Sequence, residues 1–256
     1  MSSGSTAANP LVAVHASGFS SSQFARLARD AAGRFEVTAV DLLGVGHTPL
    51  PRDRAYSLAA EVLSLVRRIE ALGEPVMLFG HSFGGLVALE ATLRAPERVR
   101  RLALFEPVIV ALAAEHGSAL SRAQVAEVRD PRDVSDEQWL EWFIDWWNGP
   151  GAWRALPEAA RAQSLDSVAS ARRQAGAVLS SSVTLERLSA CVVPTLFLTG
   201  DRSPAAALES AGLAAGAMRR AQLVAFPGLG HMGPLTHARL VNESVLSFFE
   251  RPLPPG

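Results

Sequence analysis

Apolar residues fall into six short, nearly unbroken runs: LVAVHAS (11–17), FEVTAVDL (35–42), PVMLFG (75–80), RLALFEP (101–107), PTLFLTG (194–200) and QLVAFPG (222–228). Runs of this length that do not alternate with polar residues are the pattern of strands covered on both faces of a parallel sheet. Between them the pattern lengthens to that of helices. Segments 22–33 and 57–73 precede the second and third runs, 85–99 follows the third, and 236–252 closes the chain. Alternating strand and helix predicts an α/β fold, a mainly parallel sheet of about six strands with right-handed crossovers and flanking helices.

One connection breaks the alternation. Residues 108–193 separate the fourth run from the fifth, too far for a bare loop, and they hold all five tryptophans. Within SDEQWLEWFIDWWNGPGAW, spacings of three and four place Trp139, Trp142, Phe143 and Trp146 on one helix face. The pattern predicts a core of residues 1–107 and 194–256 with a helical cap, 108–193, over the carboxyl edge of the sheet.

Composition narrows the class. With 256 residues, 48% of them hydrophobic, the chain can bury the core of one large domain. Its 24 basic and 25 acidic residues are well mixed, which argues against a nucleic-acid or anionic-membrane surface. The single cysteine, Cys191, excludes an intramolecular disulfide and sits beside an apolar run as a core residue would. The first residues, MSSGSTAANP, lack the basic start and apolar segment of a signal peptide, and no apolar run approaches the roughly 20 residues of a membrane span. The expectation is a cytoplasmic protein that engages neither membrane nor nucleic acid.

In open α/β sheets, ligands bind beyond the carboxyl ends of the strands. Those ends read HASGFSS, DLLGVGHT, GHSFGG, FEP, TGDRSP and PGLGHMGP. Gly80-His81-Ser82-Phe83-Gly84 fits G-x-S-x-G, in which a sharp strand-to-helix turn exposes a serine and the glycines admit close backbone approach. A phosphate cradle would want a P-loop lysine or a full G-x-G-x-x-G, and neither GHSFGG nor GVGHTP supplies one. Serine needs a base and the base an orienting carboxylate. His231 and Asp201 stand at the last two strand ends, giving the order Ser82, Asp201, His231. Glu106, ending the fourth run, is an alternative acid but reads as a hydrogen-bonded structural carboxylate. His15 and His81 read as loop braces, Asp41 and His47 as turn-fixing residues. His231 and His237 do not have the spacing of a helical metal pair, so no metal or organic cofactor is expected.

Taken together, LVAVHASGFSSSQF, DLLGVGHT, GHSFGG, TGDRSP and GHMGPLTH resemble the α/β-hydrolase superfamily over nearly the whole chain. The resemblance implies Ser82 as nucleophile, His231 as general base and then acid, and Asp201 as its orienter. It implies an oxyanion hole from the backbone N–H groups of Phe83 and Ser17. A substrate pocket is expected around Gly18, Phe19, Trp139, Trp142 and Trp146. Two departures stand out: His15-Ala16 replaces the usual His-Gly, and only about ten residues precede the first strand. The second predicts a trimmed sheet without the usual opening hairpin. The implied activity is hydrolysis of a small apolar ester through an acyl-enzyme. A serine at the elbow argues against dehalogenase or epoxide hydrolase chemistry, which uses aspartate there. Carbon–carbon cleavage, lactone opening and peracid formation are alternatives on the same triad. Met232 lowers the first, since such hydrolases often carry an aromatic residue after the histidine. A non-catalytic ligand-binding protein is the rival of another class. The sequence does not specify the oligomeric state.

Overall fold

A computed structural model describes residues 9–50, 55–127 and 134–252. The strands are β1 (Asn9–Val14), β2 (Phe35–Val40), β3 (Val76–His81), β4 (Val99–Phe105), β5 (Thr195–Gly200) and β6 (Ala221–Phe226). They form one sheet in the order β2-β1-β3-β4-β5-β6, every pair parallel. The predicted doubly wound, six-stranded architecture is present.

Period-2 alternation divides the core into two layers. Val12 and Val14 of β1 face one layer, with α2 (Leu58–Ala71), α3 (Phe83–Arg94) and α10 (Ala205–Ala217). Leu11 and Ala13 face the other, with α1 (Ala25–Asp30) and α12 (Ala238–Glu250). The edge strands depart from the expectation of full cover. β2 and β6 have one hydrogen-bonded neighbour each and are partly solvated; Leu223 of β6 is 46% exposed.

Between β4 and β5 run α4 (Val110–His116), α5 (Ala119–Glu127), α6 (Asp136–Asn148), α7 (Ala152–Ala155), α8 (Glu158–Val178) and α9 (Leu185–Ser189). Helices α4 and α5 lie against α10, whereas α6 packs with α7 and α8. The second group has its own apolar cluster of Trp139, Leu140, Trp153, Val168 and Ala171. Helix α6 begins in a capping box, Ser135 with Gln138, as the S-x-x-Q spelling requires. The short α11 (Gly233–Thr236) precedes α12.

The junction of β3 with α3 is tightly packed. A Cβ on Gly80 would stand 2.6 Å from the Gly84 carbonyl oxygen and 2.6 Å from the Gly85 Cα. One on Gly84 would overlap the backbone carbonyls of Val14 and His15 at the end of β1. Between them Ser82 adopts φ 57° and ψ −123°, a conformation that costs a non-glycine residue on the order of 1–3 kcal/mol. Gly84→Ala should therefore displace β1 from α3 and lower stability by about 1–3 kcal/mol. Gly212→Ala, inside α10 with nothing near its Cβ position, should raise stability by about 0.5–1 kcal/mol. Urea midpoints of the two variants check both expectations.

Candidate active site

The elbow turns Ser82 out of the sheet at the start of α3. Its N–H donates to the Phe105 carbonyl (3.0 Å), and its own carbonyl accepts from Val108 (3.2 Å), so the apex is bonded to the chain leaving β4. The Oγ lies 2.9 Å from His231 Nε2. His231 reaches this point on the loop that follows β6.

The carboxylate behind His231 belongs to Glu106. Its Oε2 is 2.7 Å from His231 Nδ1, while Oε1 accepts from the Gly200 N–H (2.8 Å) and the Ser203 hydroxyl (2.6 Å). A carboxylate accepts, so Nδ1 carries the ring proton and Nε2 is left to accept from the serine hydroxyl. Glu106 is 1% exposed and has φ 43°. It and Ser82 are the two non-glycine residues with positive φ among the described residues.

This corrects the expectation for Asp201. Its Oδ1 accepts from the Gly228 N–H (2.7 Å) in the turn after β6, and its side chain is exposed. Asp201 therefore braces the base of the His231 loop. Inward from it, Gly200 and Ser203 of the same turn supply the donors that fix Glu106. Both acids end strands, but only Glu106 has its carboxylate directed to the buried side of His231.

His15 and His81 are braces, as read from the sequence. His15 Nδ1 donates to the Ala16 carbonyl (2.8 Å) and Nε2 accepts from the Leu42 N–H (3.1 Å). Burial lowers its pKa, with the Ala16 bond and the Asp41 charge opposing. His81 Nε2 donates to the His231 carbonyl (2.9 Å), and its Nδ1 accepts from the Gln23 side-chain amide (3.0 Å). Burial first, and then the neighbouring His231, hold His81 well below the usual histidine range. Both imidazoles are neutral in these bonds.

Phe83 opens α3, and the first N–H groups of a helix have no acceptor within it. Ser17 lies across from it, and the two share with Ser82 the wall of a side pocket of about 40 Å³. The Ala16 carbonyl is held by His15 and by the Phe19 N–H (3.2 Å). In a planar trans peptide this aims the Ser17 N–H the opposite way.

Above Ser82 and His231 lies a cavity of about 370 Å³. Gly18 and Phe19 are among its lining residues. The tryptophans divide differently from the expectation. Trp142 and Trp146 line the side pocket. Trp139 lines neither cavity: it is fully buried, stacked on Phe143 (4.7 Å between centroids) with the Arg172 guanidinium over its ring. Trp147, which was not singled out, stacks face to face on the His231 imidazole, 3.9 Å between centroids at 20°. The i, i+4, i+8 series Trp139, Phe143, Trp147 is the signal that could have revealed it.

The lining of the large cavity includes the apolar Leu140, Phe143, Ile144, Trp147 and Leu156 and the neutral polar Asn148, Gln163, Ser164 and Ser167. No arginine or lysine lines it among the described residues. Among the same residues, no cluster of three or more His, Cys, Asp or Glu could hold a metal, and no helix is long and apolar enough to cross a membrane. A hydroxyl, imidazole and carboxylate hydrogen-bonded in series can generate an alkoxide-like nucleophile and return its proton to a leaving group.

Comparison with known proteins agrees with this fold. A 2-hydroxymuconate semialdehyde hydrolase of Pseudomonas sp. (strain CF600) is 29% identical over 246 residues, 90% of this chain and 82% of that one. A protein of Variovorax paradoxus (strain S110) named for carbamate hydrolysis, RutD, is 27% identical over 222 residues, 86% and 83% of the two chains. The crystal structure of carboxylesterase CesB (YbfK) from Bacillus subtilis superposes with a TM-score of 0.71 at 23% identity, over 98% of this chain and 87% of that one. Residues 11–244 match the model of the alpha/beta hydrolase family, and the chain belongs to that family.

Proposed function

We propose that the protein is a serine hydrolase of small, neutral carboxylic esters, with α6–α8 acting as a cap over the reacting groups. The observation that carries this reading is the hydrogen-bonded series Ser82–His231–Glu106 at a largely apolar cavity with no arginine or lysine among its described lining residues. At about 370 Å³ the cavity is at the small end of the roughly 300–1,000 Å³ usual for small-molecule sites. It suits one arm of the ester. The 40 Å³ side pocket suits a group of one or two carbons on the other arm.

In this reading Ser82 Oγ attacks the ester carbonyl as His231 Nε2 takes its proton. The oxyanion is met by the N–H groups of Phe83 and Ser17, each a donor of the kind that contributes a few kcal/mol in the transition state. His231 then protonates the departing alcohol, and water, deprotonated by the same nitrogen, releases the acid and restores Ser82. Glu106 holds the imidazole in the required tautomer and stabilises the imidazolium. The Trp147 face on that ring excludes water and favours its cationic form.

Carbon–carbon cleavage is the second reading, favoured by the relative named as a 2-hydroxymuconate semialdehyde hydrolase. A muconate-type substrate carries a carboxylate, and a buried carboxylate calls for a paired charge. The neutral polar lining residues are poorer partners for an anion than for an ester oxygen or hydroxyl.

Hydrolysis of p-nitrophenyl esters from acetate to decanoate tests the assignment. Wild type should turn over the shorter esters, and Ser82→Ala should lose activity by about 10³-fold or more. Silence across the series beside turnover of a dienoate ketone would replace the ester reading with the carbon–carbon one. Glu106→Gln should lower kcat by roughly 10²–10⁴-fold, and Asp201→Asn by no more than a few-fold. The reverse order would return the acid's role to Asp201. Trp147→Ala should cost about tenfold or more in kcat while the chain-length optimum changes little; a shifted optimum with unchanged kcat would make Trp147 a pocket residue only.

A further inference from the structure

Gln23 lies outside the triad and lines neither cavity, yet its side-chain amide touches the backbone or side chain of two catalytic segments and, through one more bond, the third. It precedes α1, half-buried, just beyond the loop that carries Ser17. Its Oε1 accepts from the Ala16 N–H (3.0 Å), and its Nε2 donates to His81 Nδ1 (3.0 Å). From there His81 Nε2 donates to the His231 carbonyl (2.9 Å).

The proton positions follow from one another. The His231 carbonyl can only accept, so His81 carries its proton on Nε2. Its Nδ1 then needs a donor, which the Gln23 nitrogen supplies. That leaves the Gln23 oxygen for Ala16, whose N–H can only donate. No other arrangement of the amide satisfies all four groups. The flanking peptide, from Ala16 to Ser17, is held through its carbonyl by His15 and Phe19. Both peptide planes at Ala16 are therefore fixed, one of them by Gln23.

We propose that Gln23 is a positioning residue that fixes the His15–Ala16 peptide, next to the peptide whose N–H belongs to Ser17, and holds the His231 loop against the elbow through neutral His81. The proposal rests on Ser82 being the nucleophile. The groups facing His81 are the His231 ring (5.2 Å between centroids), the Phe105 ring (5.6 Å) and His15, which itself lies 3.9 Å from Asp41. A proton added to His81 would meet no carboxylate among these direct neighbours.

The test is the rate at which a fluorophosphonate labels Ser82, read against pH for wild type, Gln23→Leu and Gln23→Glu, with the folded fraction of each followed by thermal melting. This readout needs the nucleophile and the oxyanion donors but no particular ester. Gln23→Leu leaves the Ala16 N–H and His81 Nδ1 without partners and should slow labelling by about 10–100-fold, part of the loss expected for removing an oxyanion donor outright. On any ester that is turned over, kcat should fall by the same factor with KM changed less than about threefold. Gln23→Glu can rebuild both bonds only by taking up one proton, on its own carboxyl or on His81. Its labelling rate should therefore decline toward alkaline pH where wild type holds a plateau. Wild-type rates in Gln23→Leu, a loss matched by its folded fraction, or a Gln23→Glu profile parallel to wild type would each overturn the proposal. Absence of labelling in wild type would instead overturn Ser82 as nucleophile, and this inference with it.

Discussion

The site depends on how closely α3 can approach the ends of β3 and β1. Gly80 meets the Gly84 carbonyl and the Gly85 Cα across the turn, and Gly84 meets the carbonyls of Val14 and His15. Two side chains there, even methyl groups, would separate helix from sheet. With them absent, the same contact that forces Ser82 to φ 57° also brings the loop after β1 against the elbow. The proposed nucleophile and oxyanion donors are thus placed by one packing constraint. The strain at Ser82, on the order of 1–3 kcal/mol, is sustained because the surrounding core fixes the backbone on both sides: Phe83, Leu86, Val87 and Leu89 of α3 are all essentially inaccessible to solvent.

Electrostatics completes what packing begins. Glu106 is a carboxylate in a dry environment, and such a group is tolerated only when its oxygens are satisfied. Three donors from two segments do this: the Gly200 N–H and the Ser203 hydroxyl of the turn between β5 and α10, and His231 after β6. The arrangement orients the imidazole and also ties three strand ends together. Asp201 serves the same geometry from outside, holding Gly228 at the base of the histidine loop. The two acids therefore cooperate, one buried and directed at the ring, the other exposed and directed at its support.

Much of this was legible in the chain. The continuous apolar runs located six strands to within about three residues at each end, and G-x-S-x-G located the elbow, because both patterns follow from burial and steric room. The choice between Asp201 and Glu106 was not legible. Each acid follows a buried strand, and which one faces His231 depends on side-chain direction at residues with irregular backbone, Glu106 itself having φ 43°. The Ser203 hydroxyl, in TGDRSP, belongs to the motif that pointed to Asp201, yet it serves Glu106. Trp146 and Trp147 are neighbours separated by about 100° around the helix, so the stripe could be assigned to either side. Gln23 gave no signal, since a polar residue near a helix start ordinarily faces solvent.

The inserted helices are bound to the reacting groups more intimately than a cover requires. Trp147 of α6 stacks on His231. Its neighbour Trp146 donates through Nε1 to the Gln124 carbonyl (3.3 Å), and the Gln124 side chain accepts from the Ala206 N–H (2.9 Å) in the first turn of α10. Three residues before Ala206 stands Ser203, the hydroxyl donor to Glu106. One branch ends on the His231 imidazole; the other reaches, through Gln124, the start of α10, just after the turn that carries Ser203. A shift of α6 that opened the 370 Å³ cavity would uncover the His231 ring in the same motion. Access to the cavity and exposure of the His231 ring to water are then coupled by geometry, because one helix covers both.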